Sequence, residues 1–193
     1  MRHLTINLMI ALMVNSLAVG QPRKPAATTR ATPESPYAGE ERRHIKALSA
    51  EDIKAYENGE GMGFAKAAEL NHYPGPKHVL NAAVELGLTA DQKEQTQKIY
   101  RAMHEKAIRA GRTIVQDEGK LDDLFSSGSI NPKALDSLTA AIATSEGRLR
   151  AIHLGAHLAE RGVLSPRQIR RYDELRGYGE AGAHHHHDRM HHH

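Results

Sequence analysis

The sequence predicts an all-α protein built on a long antiparallel helical hairpin with short flanking helices. Three observations carry that expectation. Two extended segments, residues 89–125 and 131–161, place apolar side chains at three- and four-residue steps, one stripe of an amphipathic helix each. A break of five residues, Ser126-Ser127-Gly128-Ser129-Ile130, separates them, and so short a connection makes neighbouring helices antiparallel. With two Phe, six Tyr and no Trp, the core must be aliphatic, which suits helices rich in Ala and Leu better than a sandwich of strands.

Taken in order, the chain opens with Arg2-His3, an apolar stretch from Leu4 to Val19, and small residues at Ala18 and Gly20, the pattern of a cleaved signal peptide over residues 1–20. The stretch is interrupted by Asn7 and Asn15 and is shorter than the roughly 20 apolar residues of a bilayer span, so an uncleaved anchor is the alternative reading. Residues 21–39, with prolines at 22, 25, 33 and 36, read as a disordered linker, and residues 40–178 as the helical domain. The first helix starts at Leu48-Ser49-Ala50-Glu51-Asp52-Ile53, where Ser49 is the cap and Leu48 and Ile53 form a staple; it should stop at Asn58-Gly59. Glycines 59, 61 and 63 precede a short helix over 64–70. Tyr73-Pro74-Gly75-Pro76 is a turn, and a third short helix runs over 77–86 to Gly87.

The first long helix carries the stripe Ile99, Met103, Ala107, Ala110, Ile114, Leu121 and Leu124. Asn131-Pro132 restarts the chain as cap and first helical residue, and the second stripe is Leu135, Leu138, Ile142, Leu149, Ile152, Ala156 and Ala159. A last helix spans 165–176, and residues 179–193 form a disordered histidine-rich tail.

The charge is +3 from 26 basic and 23 acidic side chains that are interspersed, a solvated surface and not the footprint of a nucleic-acid binder. With no Cys there is no lipoprotein anchor, disulfide, iron–sulfur cluster or thiolate metal site. The glycines at 59, 61 and 63 follow a helix and lack the Lys-Ser/Thr ending of a phosphate loop. Neither a His-Glu-x-x-His nor a Gly-x-Ser-x-Gly pattern occurs, so an enzyme is not expected.

Leu88-Thr89-Ala90-Asp91-Gln92 and Leu164-Ser165-Pro166-Arg167-Gln168 share one chemical pattern. Thr89 or Ser165 accepts from the third helical amide, Gln92 or Gln168 reaches back to the cap, and Leu88 or Leu164 packs on the first turn. Ile169 completes the staple in the second copy; Lys93 does not in the first. Singly, these are ordinary helix starts. As a pair bracketing a helical hairpin in an exported chain, they resemble the Spy/CpxP superfamily of periplasmic proteins, whose hallmark is a pair of Leu-Thr-x-x-Gln motifs, and its heavy-metal-resistance branch of ZraP-like and CnrX-like metal-binding and sensor proteins. The resemblance covers residues 48–178, with Ser165 departing from the hallmark threonine. It implies a homodimer with a concave apolar face that acts as an ATP-independent chaperone or as an envelope-stress or metal sensor. The partners it implies are unfolded envelope proteins or a membrane-anchored regulator.

Histidine supplies 14 of 193 residues. His184, His185, His186, His187, His191, His192 and His193 fall in the last ten. A designed tag is usually an unbroken run, whereas this one is split by Asp188-Arg189-Met190 and belongs to a chain retaining its signal peptide, so it reads as a natural tail. Clustered imidazoles bind a divalent transition metal such as Zn²⁺, Ni²⁺, Co²⁺ or Cu²⁺ with little selectivity. His153 and His157 are four apart, about 40° around one helix face, which lets both reach one ion; two histidines without a ligand role are the plainer reading. Centring the hairpin near Gly128 sets His153 opposite Met103 and His104, a plausible set of further ligands, with Glu146 and Glu160 on the His153 face. His44, His72 and His78 have no partner at diagnostic spacing and read as ordinary polar residues. The expected protein is a periplasmic metal-binding stress protein with no stable membrane insertion after cleavage. The alternative is a metal-independent chaperone, or an inhibitor of a membrane-anchored envelope-stress signalling protein.

Overall fold

The computed structural model describes residues 35–178. Residues 1–20, expected from sequence to form a signal peptide, residues 21–34 and the histidine-rich residues 179–193 lie outside the described residues. Six α-helices follow a single 3-10 turn at Glu40–Arg42, and no strand occurs among the described residues. They are α1 (Ala50–Glu57), α2 (Lys66–Glu69), α3 (Pro76–Asn81), α4 (Ala90–Ser126), α5 (Pro132–Val163) and α6 (Pro166–Arg176). The antiparallel pair α4 and α5 forms the predicted hairpin; α1 and α3 pack on α4, and α2 and α3 on α5.

Local chemistry explains the boundaries. Ser49, Thr89 and Ser165 each accept from the third amide of their helices, and Asp52, Gln92 and Gln168 reach back to the cap amides, giving three capping boxes. Asn131 caps α5 with Pro132 behind it. The two short helices are shorter than the sequence suggests. Residues 62–65 are turn, because Met62 and Gly63 have φ of 41° and 78°, so α2 begins only at Lys66. Helix α3 ends at Asn81, and the following turn swings Leu86 into the core while leaving Val84 on the surface. Residues Tyr37–Arg43, placed partly in the linker by sequence, form turns and the 3-10 segment.

Two apolar clusters hold the molecule. One joins Tyr56, Ala107, Ala110, Ile114 and Leu149, with Leu48, Phe64, Met103 and Ile152 packed around it. Its closest approach is at Gly111, where a Cβ would stand 2.1 Å from the Tyr56 carbonyl oxygen; only glycine lets the end of α1 rest on α4. The second joins Val79, Leu86, Leu164 and Tyr172, with Leu88, Ile169 and Tyr178. Between them the hairpin interior is polar: Thr96, His153, His157 and Glu160 are buried. His153, His157 and Glu160 take the inward positions of the last turns of α5, which is why Ala159, assigned to the stripe by spacing, faces solvent.

Candidate metal centre

The two motif glutamines meet. Gln92 Nε2 donates to Gln168 Oε1 (2.9 Å) and Gln168 Nε2 donates to Gln92 Oε1 (3.0 Å). The remaining amide protons go to the Val163 carbonyl (2.9 Å) and the Leu86 carbonyl (3.3 Å), while the oxygens accept from the Thr89 and Ser165 amides. Every amide valence is used, so Leu88-Thr89-x-x-Gln92 and Leu164-Ser165-x-x-Gln168 form one lock at the open end of the hairpin. Their chemistry is structural and they line no part of the cavity described next.

That cavity, about 490 Å³, lies beside the hairpin under the 58–65 loop, α2 and the Pro74-Gly75-Pro76 turn. Met103, His104, His153 and His157 all line it, as the hairpin register predicts. Phe64 stacks on His153 with ring centroids 6.3 Å apart, and Tyr100 stacks on His104 at 5.4 Å. His153 is 5% exposed, and its Nε2 is buried with no hydrogen-bond partner. Burial holds its pKa below the ordinary imidazole value, the charges of His157 and His104 act in the same sense, and the main chain of Glu60 opposes them.

His157 is fixed by a carbonyl. Its Nδ1 lies 2.8 Å from the Tyr73 oxygen, which can only accept, so Nδ1 carries the proton and the neutral ring keeps its lone pair on Nε2. The turn supplying that carbonyl is itself held: His72 pairs with Asp173 (2.9 Å), Arg161 donates to the His72 carbonyl and covers the Tyr73 ring, and the Tyr172 hydroxyl accepts from the Gly75 amide. At Gly75 a Cβ would stand 2.8 Å from His157 Cε1, so the turn can lie on the imidazole only with glycine there.

Sequence spacing missed Glu69. The chain reversal at Pro74-Gly75-Pro76 sets it against α5 and α6, and nothing in the order of residues signals this. Its Oε1 accepts from the Tyr172 hydroxyl (2.7 Å), Arg176 Nε (3.1 Å) and the Tyr178 hydroxyl (3.3 Å). Its Oε2 is buried without a hydrogen-bond partner, 3.6 Å from His157 Nδ1. His78, read from sequence as an ordinary polar residue, also lines the cavity, its pKa lowered chiefly by burial. Glu146 and Glu160 stay away from it. Glu146 stands by Tyr56 and Glu118, and Glu160 is spent on Thr96. Among the described residues no group of three or more His, Asp or Glu side chains is closely enough set to hold an ion unaided.

The donors on the wall suit a borderline ion: imidazole nitrogens, a carboxylate oxygen and the Met103 thioether, with two buried polar atoms lacking partners. Fold and cavity together define an all-helical hairpin protein with a histidine-lined pocket. The chain belongs to the heavy-metal resistance family, which matches residues 61–171, and with it to the Spy/CpxP-like helical proteins. No curated protein and no solved structure matches it.

Proposed function

We propose that the chain captures a divalent transition-metal ion in this cavity, outside the cytoplasm, as part of resistance to or sensing of heavy metals. The observation that carries the reading is the state of the His153/His157 pair. A ligating histidine ordinarily gives its other ring N–H to a carbonyl or carboxylate, which fixes the ring and aims the free nitrogen. His157 already has that arrangement on Tyr73, and His153 has a buried Nε2 with nothing bound to it. Burial favours neutral His153, the form that ligates. Met103, His104 and Glu69 supply further donors from α4 and α2. Family membership supports the same chemistry. The wall brings together side chains that ligate metal, and the role we assign to it is binding.

Calorimetric titration with Zn²⁺, Ni²⁺, Co²⁺ and Cu²⁺ tests this on the full chain and on a His153→Ala/His157→Ala variant, both keeping the tail. The expected result is a binding event in the parent that the double variant loses. Identical isotherms for the two proteins would overturn the reading.

A further inference from the structure

Met62 is held in a backbone conformation that the fold does not require of a methionine. The Gly61 carbonyl accepts from the Phe64 amide at 2.7 Å, closing a four-residue turn whose central residues, Met62 and Gly63, have φ of 41° and 78°. Positive φ at both central positions is the pattern of a type I′ turn, where Gly, Asn and Asp dominate because larger side chains are strained there. Packing does not explain Met62, which is 39% exposed and belongs to neither apolar cluster. Its position against His153 does. Glu60 meets that imidazole through its main chain and Phe64 stacks on it, so the residues two before and two after Met62 both touch the histidine whose Nε2 is buried without a partner. Met62 lines the cavity, and Met103 lines it from α4. A Cβ at Gly61 or Gly63 would meet nothing within 4 Å, so no neighbour blocks the turn from bringing a thioether inward. The charge of the wall bears on which ion those sulfurs serve. Lys66, Lys77 and Arg176 line it against Glu60 and Glu69, three cations to two carboxylates, and Arg176 already holds Glu69 Oε1. Imidazoles and thioethers are neutral donors, so the set offsets a single positive charge better than a double one. Thioether sulfur is the soft donor that selects monovalent copper, and imidazole suits copper as well.

We propose that the cavity also takes monovalent copper, bound by the Met62 and Met103 thioethers together with His153 and His157. This rests on the reading that the histidine pair holds an ion, and it adds a second class of ion to that pair. Met62 is the residue that determines this specificity. Its strained turn keeps a soft donor beside the free nitrogen of His153, and ligation draws the 58–65 loop down over the ion. A divalent ion uses the imidazoles and the Glu69 carboxylate instead.

Anaerobic titration of the full chain with Cu⁺ against a colorimetric cuprous chelator, joined to X-ray absorption at the copper edge, tests it. The chain has no Cys, so any sulfur on copper is a methionine's, and beyond the first twenty residues only Met62, Met103 and Met190 are candidates. The parent should show nitrogen and sulfur ligands together. Met62→Leu, a swap of similar volume, should lose sulfur from the copper shell and weaken cuprous affinity about tenfold or more. Met62→Gly relieves the positive φ and should lose the same affinity, which ties the loss to the sulfur and not to the turn. Met190→Leu should leave both readouts where they are. A copper shell of nitrogen alone in the parent would overturn the proposal while leaving the divalent reading intact. Undiminished affinity and sulfur in Met62→Leu would overturn it too, and sulfur that vanishes in Met190→Leu would place the copper on the tail. If neither Cu⁺ nor a divalent ion depends on His153 and His157, both readings fall at once.

Discussion

Glu160 has 0% exposure, accepts from Thr96 Oγ1 at 2.8 Å, and leaves Oε2 buried without a partner. A carboxylate in that position has one hydrogen bond and no cation. Burial raises its pKa from 4.5 to about 7, with the Thr96 hydrogen bond pulling the other way. The sign of the effect on stability follows from linkage. Below pH 4.5 the group is protonated folded or unfolded and imposes no penalty. Between pH 4.5 and about 7 the unfolded chain ionises while the native chain keeps its proton, so stability falls as pH rises, and above 7 the loss is complete. At about 1.4 kcal/mol per pH unit the whole loss is about 3 kcal/mol. Glu160→Gln carries no titrating group. Urea unfolding at pH 5 and pH 8 should show the difference in stability between variant and parent moving in the variant's favour by about 2.5 kcal/mol at the higher pH, part of the loss being already present at pH 5. A constant difference would mean Glu160 is ionised in the native state.

Among the elements, the two capping boxes closed by Gln92 and Gln168 illustrate what a sequence can and cannot reveal. Each box is local: a hydroxyl and a glutamine three residues apart decide it, so the starts of α4 and α6 were legible to the residue. The pairing of Gln92 with Gln168 is 76 residues long in sequence and depends on the hairpin closing in register, which no local spacing encodes. The same division explains the short helices. The ends of α2 and α3 are set by the positive φ at Met62 and Gly63 and by burial of Leu86, which are tertiary matters. It explains the site as well. His153 and His157 were read from helical spacing and Met103 and His104 from hairpin register, whereas Glu69 and His78 arrive through a tight turn of three residues. Because the glutamines satisfy each other, removing one leaves polar groups of the other unpaired and also strips the donor from a carbonyl, that of Leu86 for Gln168 or of Val163 for Gln92. Gln168→Ala should therefore cost about 1–3 kcal/mol by urea unfolding. Gln92→Ala should cost about 1 kcal/mol less in the Gln168→Ala background than alone, because the shared bonds are already gone. Strict additivity would show that the lock contributes only as two separate caps.

The molecule as a whole is arranged so that its cavity draws on α2, α3, α4, α5 and the end of α6, with the 58–65 loop across it. Unfolding separates every one of those segments. A ligand that needs the assembled cavity binds only the native state and stabilises it by mass action, by about 2.7 kcal/mol at a free concentration one hundred times its Kd. For a chain of this size each kcal/mol moves the midpoint by about 2–4 °C, so the expected rise in Tm is about 5–10 °C. A tail of histidines behaves differently when it binds metal by itself. Metal that binds the native and unfolded states equally leaves Tm where it was. Thermal unfolding by circular dichroism with saturating Zn²⁺ or Ni²⁺ therefore separates the two sources of affinity that calorimetry adds together. The parent should show the rise and His153→Ala/His157→Ala should show none while still binding metal at its tail. A parent whose Tm is unmoved by an ion it demonstrably binds would place that ion on the tail and leave the cavity without its proposed ligand.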